Sequence, residues 1–407
     1  MRNKAYLLRN CIVAGFVLCG CAPSPAPFQP SHSDFSFIAI GDIGEPGDIL
    51  SDNAATLQRM LTEDRFDAMV VLGDNFYPIG LNVPEREVDE KISEVLSPLY
   101  EVMRSLRAEN VHAITGNHDY YAFLAVQKKL LFGLIDIATA PYGIDSRGNR
   151  RAVAKIPEWT YYYGLPQERL YGPSDRRMQM IFFDSAILLR TRAEEWAAAL
   201  NGLHELLLRH KQDANVKWRV LFAHHPFYSL GPHGGYTVWD DSAMTVKYLN
   251  PCNLDSNALG YAINALDPQD ICAPRYQAYI DSVQAVIQRS SVRVQLVVAG
   301  HEHALQLLYY PDKDRDCKEC PKAHVVSGAG AKANEVKSPI PNREWTWPSN
   351  TDEARGQSRY GFARFDLKGE ALRVRFFEGK SGELLKVEGK GEAVIKENGE
   401  VDWRVNP

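Results

Sequence analysis

The chain has 407 residues, 45% hydrophobic and 24% charged, which is ordinary globular composition and enough for one large domain or two modest ones. A formal net charge of −5, a sequence pI near 6.1 and no run of five or more basic residues argue against a nucleic-acid-binding surface. An acidic protein that handles an anionic substrate needs local positive charge, and bound metal is one source of it.

In chain order, the N-terminus carries the first specific signal. Arg2, Lys4 and Arg9 precede the apolar run Cys11–Leu18, which is too short to span a bilayer comfortably. The next tetrad, Leu18-Cys-Gly-Cys21, looks like a bacterial lipobox, in which the final cysteine is lipidated and becomes the first residue of the mature chain. Residues 1–20 are therefore read as a lipoprotein signal peptide; an ordinary signal peptide with an unrelated cysteine is the simpler alternative. Residues 21–34, rich in proline, read as a semi-extended tether. The expected product is exported and held to a membrane by lipid on Cys21, in the periplasm or at the cell surface. Ala22 is not the aspartate associated with inner-membrane retention, which leaves an outer membrane open where the cell has two.

From residue 35 short apolar runs alternate with longer amphipathic ones. Strands are predicted at Phe35–Ile40, Ala68–Leu72, Val111–Ile114, Met178–Phe183, Trp218–Phe222, Val294–Val298 and Ala323–Val326, from β-branched content and bounding turn residues. Helices are predicted at Ala54–Glu63, Glu85–Glu109 with an interruption at Pro98, Ala193–His210 and Tyr276–Arg289. This alternation implies an α/β architecture. After about Tyr360, Phe362–Asp366 and Leu372–Phe376 alternate with period two, as half-exposed hairpin strands do. One domain over 35–380 follows, with insertions near 133–175 and 231–275 and an extension over 381–407.

Seven cysteines are present. Cys11 and Cys19 would leave with the signal peptide and Cys21 would carry lipid. Cys252, Cys272, Cys317 and Cys320 remain, an even number for an oxidising compartment. Three pairings are open, with Cys252–Cys272 and Cys317–Cys320 favoured; a redox-active or zinc-binding C-x-x-C is the alternative for the second pair.

Chemistry gathers at the strand ends. Strand 35–40 runs into Gly41-Asp42, strand 68–72 into Gly73-Asp74-Asn-Phe-Tyr77, and strand 111–114 into Gly116-Asn117-His118-Asp119. Strand 218–222 runs into His224-His225-Pro226, and strand 294–298 into Gly300-His301-Glu302-His303. Any one of these is unremarkable: Gly-Asp is usually a turn and a loop histidine is usually solvated or hydrogen-bonded. Five together, at the edge where open α/β sheets build their sites, point to a shared centre. Two metal ions a few ångströms apart need anionic oxygen to bring them together, a bridging carboxylate, and imidazoles to complete the shells without overcharging them. Such a pair lowers the pKa of bound water and clamps a phosphoryl oxygen during displacement.

The ordered set GD, GDNFY, GNHD, HH and GHEH resembles the calcineurin-like metallophosphoesterases. The tyrosine in Gly73-Asp-x-x-Tyr77 is similar to the purple acid phosphatases, in which a tyrosinate holds ferric iron. Ser229-Leu-Gly-Pro-His233-Gly234, Gly300–Gln306 and Val326–Gly330 extend the likeness to the small, tartrate-resistant branch, over roughly residues 35–380. The resemblance implies a four-layer α/β/β/α sandwich and hydrolysis of phosphate monoesters by metal-bound hydroxide. It implies two metal ions, Fe(III) with Fe(II), Zn or Mn. Asp42, Tyr77 and His303 would hold the ferric ion, Asn117, His224 and His301 the divalent one, and Asp74 would bridge. His118 and His233 match outer histidines that contact phosphate and assist the leaving group. Other readings are a phosphodiesterase or nucleotide pyrophosphatase with the same ligands, or a non-catalytic surface lipoprotein. His225 departs from the branch, which commonly has an aromatic residue there, and the insertions with Tyr161-Tyr-Tyr163 and Cys252–Cys272 have no assigned counterpart, so substrate choice stays open.

Overall fold

A strand buried on both faces needs a second sheet on one side and helices on the other, and this chain supplies both. The computed structural model describes residues 28, 32–78, 80–81, 85–120, 156–190, 193–234, 237–240, 245–248, 269–310, 317–334, 346–348, 351–352, 357–386 and 390–405. The signal segment, Cys21, Cys252 and much of both insertions lie outside these residues.

The first half of the chain forms β1 (Phe35–Ile40), α1 (Asp48–Glu63), β2 (Ala68–Val71), α2 (Val88–Leu96), α3 (Tyr100–Leu106), β3 (Val111–Ile114), β4 (Thr160–Tyr162), β5 (Gln167–Tyr171) and β6 (Arg177–Phe183). Then come α4 (Ser185–Arg190), α5 (Ala193–Arg209), β7 (Val216–Ala223), β8 (Thr237–Asp240), β9 (Thr245–Tyr248), α6 (Pro274–Ser290), β10 (Leu296–Ala299), β11 (Leu305–Tyr309) and β12 (Ala323–Ser327). The tail holds β13 (Thr346–Pro348), β14 (Thr351–Asp352), β15 (Gln357–Ser358), β16 (Gly361–Lys368), β17 (Ala371–Glu378), β18 (Lys390–Lys396) and β19 (Val401–Val405).

Eight strands pair in the order β19-β18-β17-β16-β1-β2-β3-β4 and seven in the order β13-β11-β12-β10-β7-β6-β5. Strands β1 to β4 are parallel in the first sheet, as are β6, β7, β10 and β12 in the second. Side-chain alternation along β1 sorts the layers: Phe35, Phe37 and Ala39 enter the core between the sheets, whereas Ile38 and Ile40 face α1–α3. Between the sheets Phe37 stacks on Phe365 at 4.5 Å and meets Phe222 edge-on at 5.7 Å. On the far side of the second sheet, Leu188, Leu203, Tyr276 and Val283 from α4–α6 cover Phe183, Leu221 and Val297. The molecule is a four-layer α/β/β/α sandwich.

Several boundaries differ from the sequence expectation for physical reasons. Helix α1 starts at Asp48, not Ala54: its early turns bury Leu50 together with the polar Asn53, whose amide donates to the carbonyls of Ala329 (3.3 Å) and Gly330 (2.9 Å). Pro98 does break the 85–109 helix, as a 3₁₀ turn over Ser97–Leu99. The unassigned Tyr161-Tyr-Tyr163 stretch contributes edge strand β4, too short for a period to declare itself. The extension past 381 adds β18 and β19 to the first sheet. One tether residue is already part of the body: Phe28 is buried edge-on to Phe377, with the Arg59 guanidinium 4.5 Å above its ring. Cys317 and Cys320 are bonded to each other. Cys272 is disulfide-bonded as well, to a sulfur outside the described residues, where Cys252 lies.

The tail strands correct the half-exposed reading. Strand β16 is buried from Gly361 to Leu367, and its alternating polar residues form an ion network instead of a wet face. Arg364, fully buried, donates from Nη1 to the Asp64 carbonyl (2.6 Å), lies 3.1 Å from that residue's carboxylate, and pairs through Nη2 with Asp366 at 3.0 Å. Arg375 closes on the other Asp366 oxygen at 2.7 Å. The guanidinium thereby answers the orphan carbonyls at the C-terminal end of α1. Burial alone would raise the Asp366 pKa, but the two arginines outweigh it and hold the carboxyl below the usual range. Its contribution to stability is therefore present above the ordinary Asp value and lost as pH falls through the lower folded value. Arg364→Met should cost about 3–5 kcal/mol in urea unfolding by stranding buried carboxylates. It should also shrink the loss of stability on acidification, since Asp366 then titrates nearer its unfolded value.

Candidate metal centre

Parallel strands send their C-terminal ends the same way, and five of them converge here. β1, β2 and β3 deliver Asp42, Asp74 with Tyr77, and Asn117 with His118; from the other sheet β7 delivers His224 and β10 delivers His301 and His303. The tips are laced by backbone bonds, Asp42 N–H to Gly73 O at 3.0 Å and Gly44 N–H to Asp74 O at 3.0 Å. Gly116 has no room for a side chain: a Cβ there would lie 2.2 Å from Asp74 Oδ1. Asp42, Asp74 and His301 take left-handed backbone conformations, with φ of 57°, 51° and 68°. Non-glycine residues there cost about 1–2 kcal/mol each, strain typical of side chains held for function.

Two donor groups result. In the first, the Tyr77 hydroxyl lies 3.1 Å from Asp42 Oδ1, 3.0 Å from Asp74 Oδ2 and 3.0 Å from His303 Nε2. One phenol hydrogen cannot serve both carboxylates fully, whereas a cation among the four groups would satisfy all of them. In the second, Asn117 Oδ1 lies 2.8 Å from His224 Nε2 and 3.0 Å from His301 Nδ1. His224 donates its Nδ1–H to the Leu72 carbonyl (2.7 Å) and His301 its Nε2–H to the Gln269 carbonyl (2.9 Å). On the neutral His301 ring the nitrogen facing Asn117 is then a lone pair turned on a carbonyl oxygen, an arrangement that calls for a cation between them, while His224 Nε2 faces the same oxygen with a proton that a cation would replace. Asp74 joins the groups: Oδ2 meets Tyr77, and Oδ1 lies 3.4 Å from His224 Nε2. The residues present fit a two-ion centre. Asp42, Asp74 and His224 offer ligand atoms within 4.8 Å of one another, as do His224, His225 and His301.

Without a cation, protons must do the neutralising. Burial pushes the Asp42 carboxyl well above its usual range, with the Asp74 charge adding to the rise. Burial also opposes the Asp74 charge, but His224 and His118, through charge and hydrogen bonds, hold that carboxyl well below the usual range. Burial and the two carboxylates push the Tyr77 phenol well up. Burial disfavours the His224 imidazolium, yet Asp74 and Asp42 raise it to about 9. For His301, burial and the charges of His233 and His224 keep the ring neutral.

The remaining expected residues sit around this centre. His118 donates Nδ1–H to the Pro78 carbonyl (2.6 Å), which turns Nε2 to 3.9 Å from Asp74 Oδ2. His233, with its side chain 35% exposed, stacks on His301 at 4.7 Å and donates Nδ1–H to Asp270 Oδ1 at 2.9 Å. His225 lies beside His301 (4.6 Å between ring centres), with Nδ1 2.8 Å from the Ser185 hydroxyl.

Residues without an expected role support these. The Asp119 carboxylate accepts from Asn75 N–H (3.0 Å), the Asn75 amide (2.7 Å) and Gly116 N–H (2.8 Å), stapling the second loop to the third. The Gln306 side-chain oxygen, Oε1, accepts Leu230 N–H at 2.8 Å and so fixes the loop leading to His233. Both were visible inside quoted motifs, at strand tips. Asp270 and the Gln269 carbonyl carried no such signal.

Residues 35–305 match the model of the calcineurin-like phosphoesterases, more than half of the chain. The chain belongs to the calcineurin-like phosphoesterase family. A curated relative, purple acid phosphatase 17 of Arabidopsis thaliana, is 24% identical over 276 residues, covering 64% of this phosphoesterase and 72% of the plant protein. Among solved structures, GAP50, the anchor in the inner membrane complex of Plasmodium, aligns with a TM-score of 0.51 at 17% identity over 89% of this chain and 88% of its own. A dimetal phosphatase from Danio rerio aligns at 0.41 and 15% identity, covering 90% and 99%. The likeness to GAP50 is one of fold.

Loading the phosphoesterase with metal must displace protons from raised groups, chiefly Asp42, Tyr77 and His224. In weakly buffered solution at neutral pH, adding metal to metal-stripped protein should release on the order of two or three protons per molecule. Apparent affinity should climb with pH until about 9, where His224 loses its proton unaided. An indicator-dye titration showing no proton release would contradict this assignment of the donors.

Proposed function

We propose that this phosphoesterase is a purple-acid-phosphatase-like enzyme that hydrolyses small phosphate monoesters outside the cytoplasm, tethered to a membrane through lipid on Cys21. The observation that carries the reading is Tyr77, whose hydroxyl is shared by Asp42, Asp74 and His303 within 3.1 Å. A phenolate beside two carboxylates is a hard, anionic set suited to a trivalent ion, and Fe(III) is the reading adopted. An amide oxygen with two neutral imidazoles, from Asn117, His224 and His301, suits a divalent partner: Fe(II), Zn or Mn. When bound, such a pair supplies an activated water, nucleophilic hydroxide near neutral pH, and draws charge from the phosphoryl oxygens.

The chain's own residues do the rest. Asp74 faces both donor groups and serves as the bridge. His118 presents Nε2 beside Asp74, and His233 presents Nε2 from the exposed rim; both offer hydrogen-bond donors to phosphoryl oxygens when protonated. Lys332, ion-paired with Glu45, lies 4.1 Å above the Tyr77 ring at the edge of the site. A phosphodiesterase would use the same donors, so the assay must separate the two.

Purified full-length protein should hydrolyse a chromogenic phosphomonoester faster than its diester between acid and neutral pH. Asp74→Asn should lose about a thousandfold or more in kcat, since Asp74 turns one oxygen to Tyr77 and the other to His224. Diester preference would move the assignment to a phosphodiesterase. Metal-free protein without turnover would favour a partner-binding role on an inherited fold, a role of the kind that the word anchor gives GAP50. With iron bound, Tyr77→Phe should abolish the visible charge-transfer band; persistence of colour would refute tyrosinate ligation.

A further inference from the structure

We propose that Asp270 is a positioning residue for His233, fixing the imidazole so that Nε2 hands its proton to the departing alcohol. The inference rests on the phosphatase reading and names a residue that the sequence pattern left out.

The pair does not stand alone. Three consecutive residues grip the site: the Gln269 carbonyl accepts from His301 Nε2 at 2.9 Å, Asp270 Oδ1 accepts from His233 Nδ1 at 2.9 Å, and Ile271 N–H donates to the His233 carbonyl at 2.9 Å. His233 is thus held at its ring and its backbone by one short strap. The strap is itself fixed. Ala273 N–H donates to the Asp270 carbonyl at 2.9 Å, the Gln277 amide donates to the Ile271 carbonyl from the first turn of α6, and Cys272 is disulfide-bonded. The ring's far face is set by its stacking on His301.

A carboxylate at Nδ1 does two things for an imidazole. It selects the orientation in which Nε2 is the exchangeable position, and it favours the imidazolium that carries a proton there. In the step proposed, the bond from phosphorus to the ester oxygen breaks as the water oxygen attaches. The ester oxygen keeps the electron pair and takes the Nε2 proton, leaving as alcohol. The ring becomes neutral with Nδ1–H still on Asp270, and the proton is restored from solvent. The alternative, an ion pair that only stiffens the rim, predicts different kinetics.

An alkoxide leaves poorly without a proton, whereas a nitrophenolate leaves well without one. In full-length protein loaded with metal, Asp270→Asn should lower kcat for an alkyl monoester such as glycerol phosphate about 100-fold. For a nitrophenyl monoester it should change kcat less than about threefold, because that leaving group needs no acid. KM should hold for both. Adding Asp270→Asn to His233→Ala should lower alkyl turnover no further. Independently of activity, ¹⁵N-histidine spectra of metal-free protein should show a downfield Nδ1–H signal, absent in His233→Ala, that Asp270→Asn removes. Equal loss on both esters, no loss on the alkyl ester, or an unchanged Nδ1–H signal overturns the proposal alone. Wild-type protein that cleaves neither ester overturns the phosphatase reading and this proposal with it.

Discussion

Two buried carboxylates share one phenol, and the site is organised around that conflict. Asp42 and Asp74 approach the Tyr77 hydroxyl from adjacent strands, both within 3.1 Å. Like charges this close and this dry repel strongly unless something positive sits among them. Protons serve in the absence of metal, which is why the Asp42 carboxyl is pushed up while His224 is held charged. A metal pair serves better, because it satisfies the phenol, the carboxylates and the lone-pair nitrogens at once. The strained φ values of Asp42, Asp74 and His301 fit the same account: residues that must point inward from consecutive tips take conformations they would otherwise avoid.

The sandwich makes this crowding possible. Each donor comes from a strand whose middle is locked by neighbours on both sides and aromatic packing beneath, as Phe37 is between Phe365 and Phe222. Three tips come from one sheet and two from the other, so the centre also spans the joint between sheets. Glycine clears the approach where a tip would otherwise strike its neighbour, most tightly at Gly116. Rigidity supplied by the fold spares the site the entropy of gathering seven side chains on binding.

Around the donors lies a ring of residues whose work is orientation. Leu72 and Gln269 carbonyls choose which nitrogen of His224 and His301 faces inward. Pro78 does the same for His118, and Asp270 for His233. Three of these four acceptors are main-chain carbonyls, supplied by the path of the chain and not by residue type. The insertion near 231–275 ends in the strap that carries two of the four.

The strands, the helices and the convergence of five strand tips were legible in the sequence, because period-two and helical patterns, glycine turns and ligand-type side chains are local properties of the chain. Asp42, Asp74, Tyr77, Asn117, His224, His301 and His303 stood after strands among other residues of ligand type, and the family resemblance singled them out. What tertiary structure alone decided has no local signature. Arg364 and Asp366 read as a wet strand face and are instead a buried pair, since burial depends on what covers a strand, here the end of α1. The early start of α1 escaped for the same reason, since a single buried apolar residue, Leu50, and the buried amide of Asn53 make no helical period. Asp270 reaches His233 across 37 residues of sequence. No spacing rule relates two residues so far apart, because only the closed chain brings a carboxylate to that nitrogen.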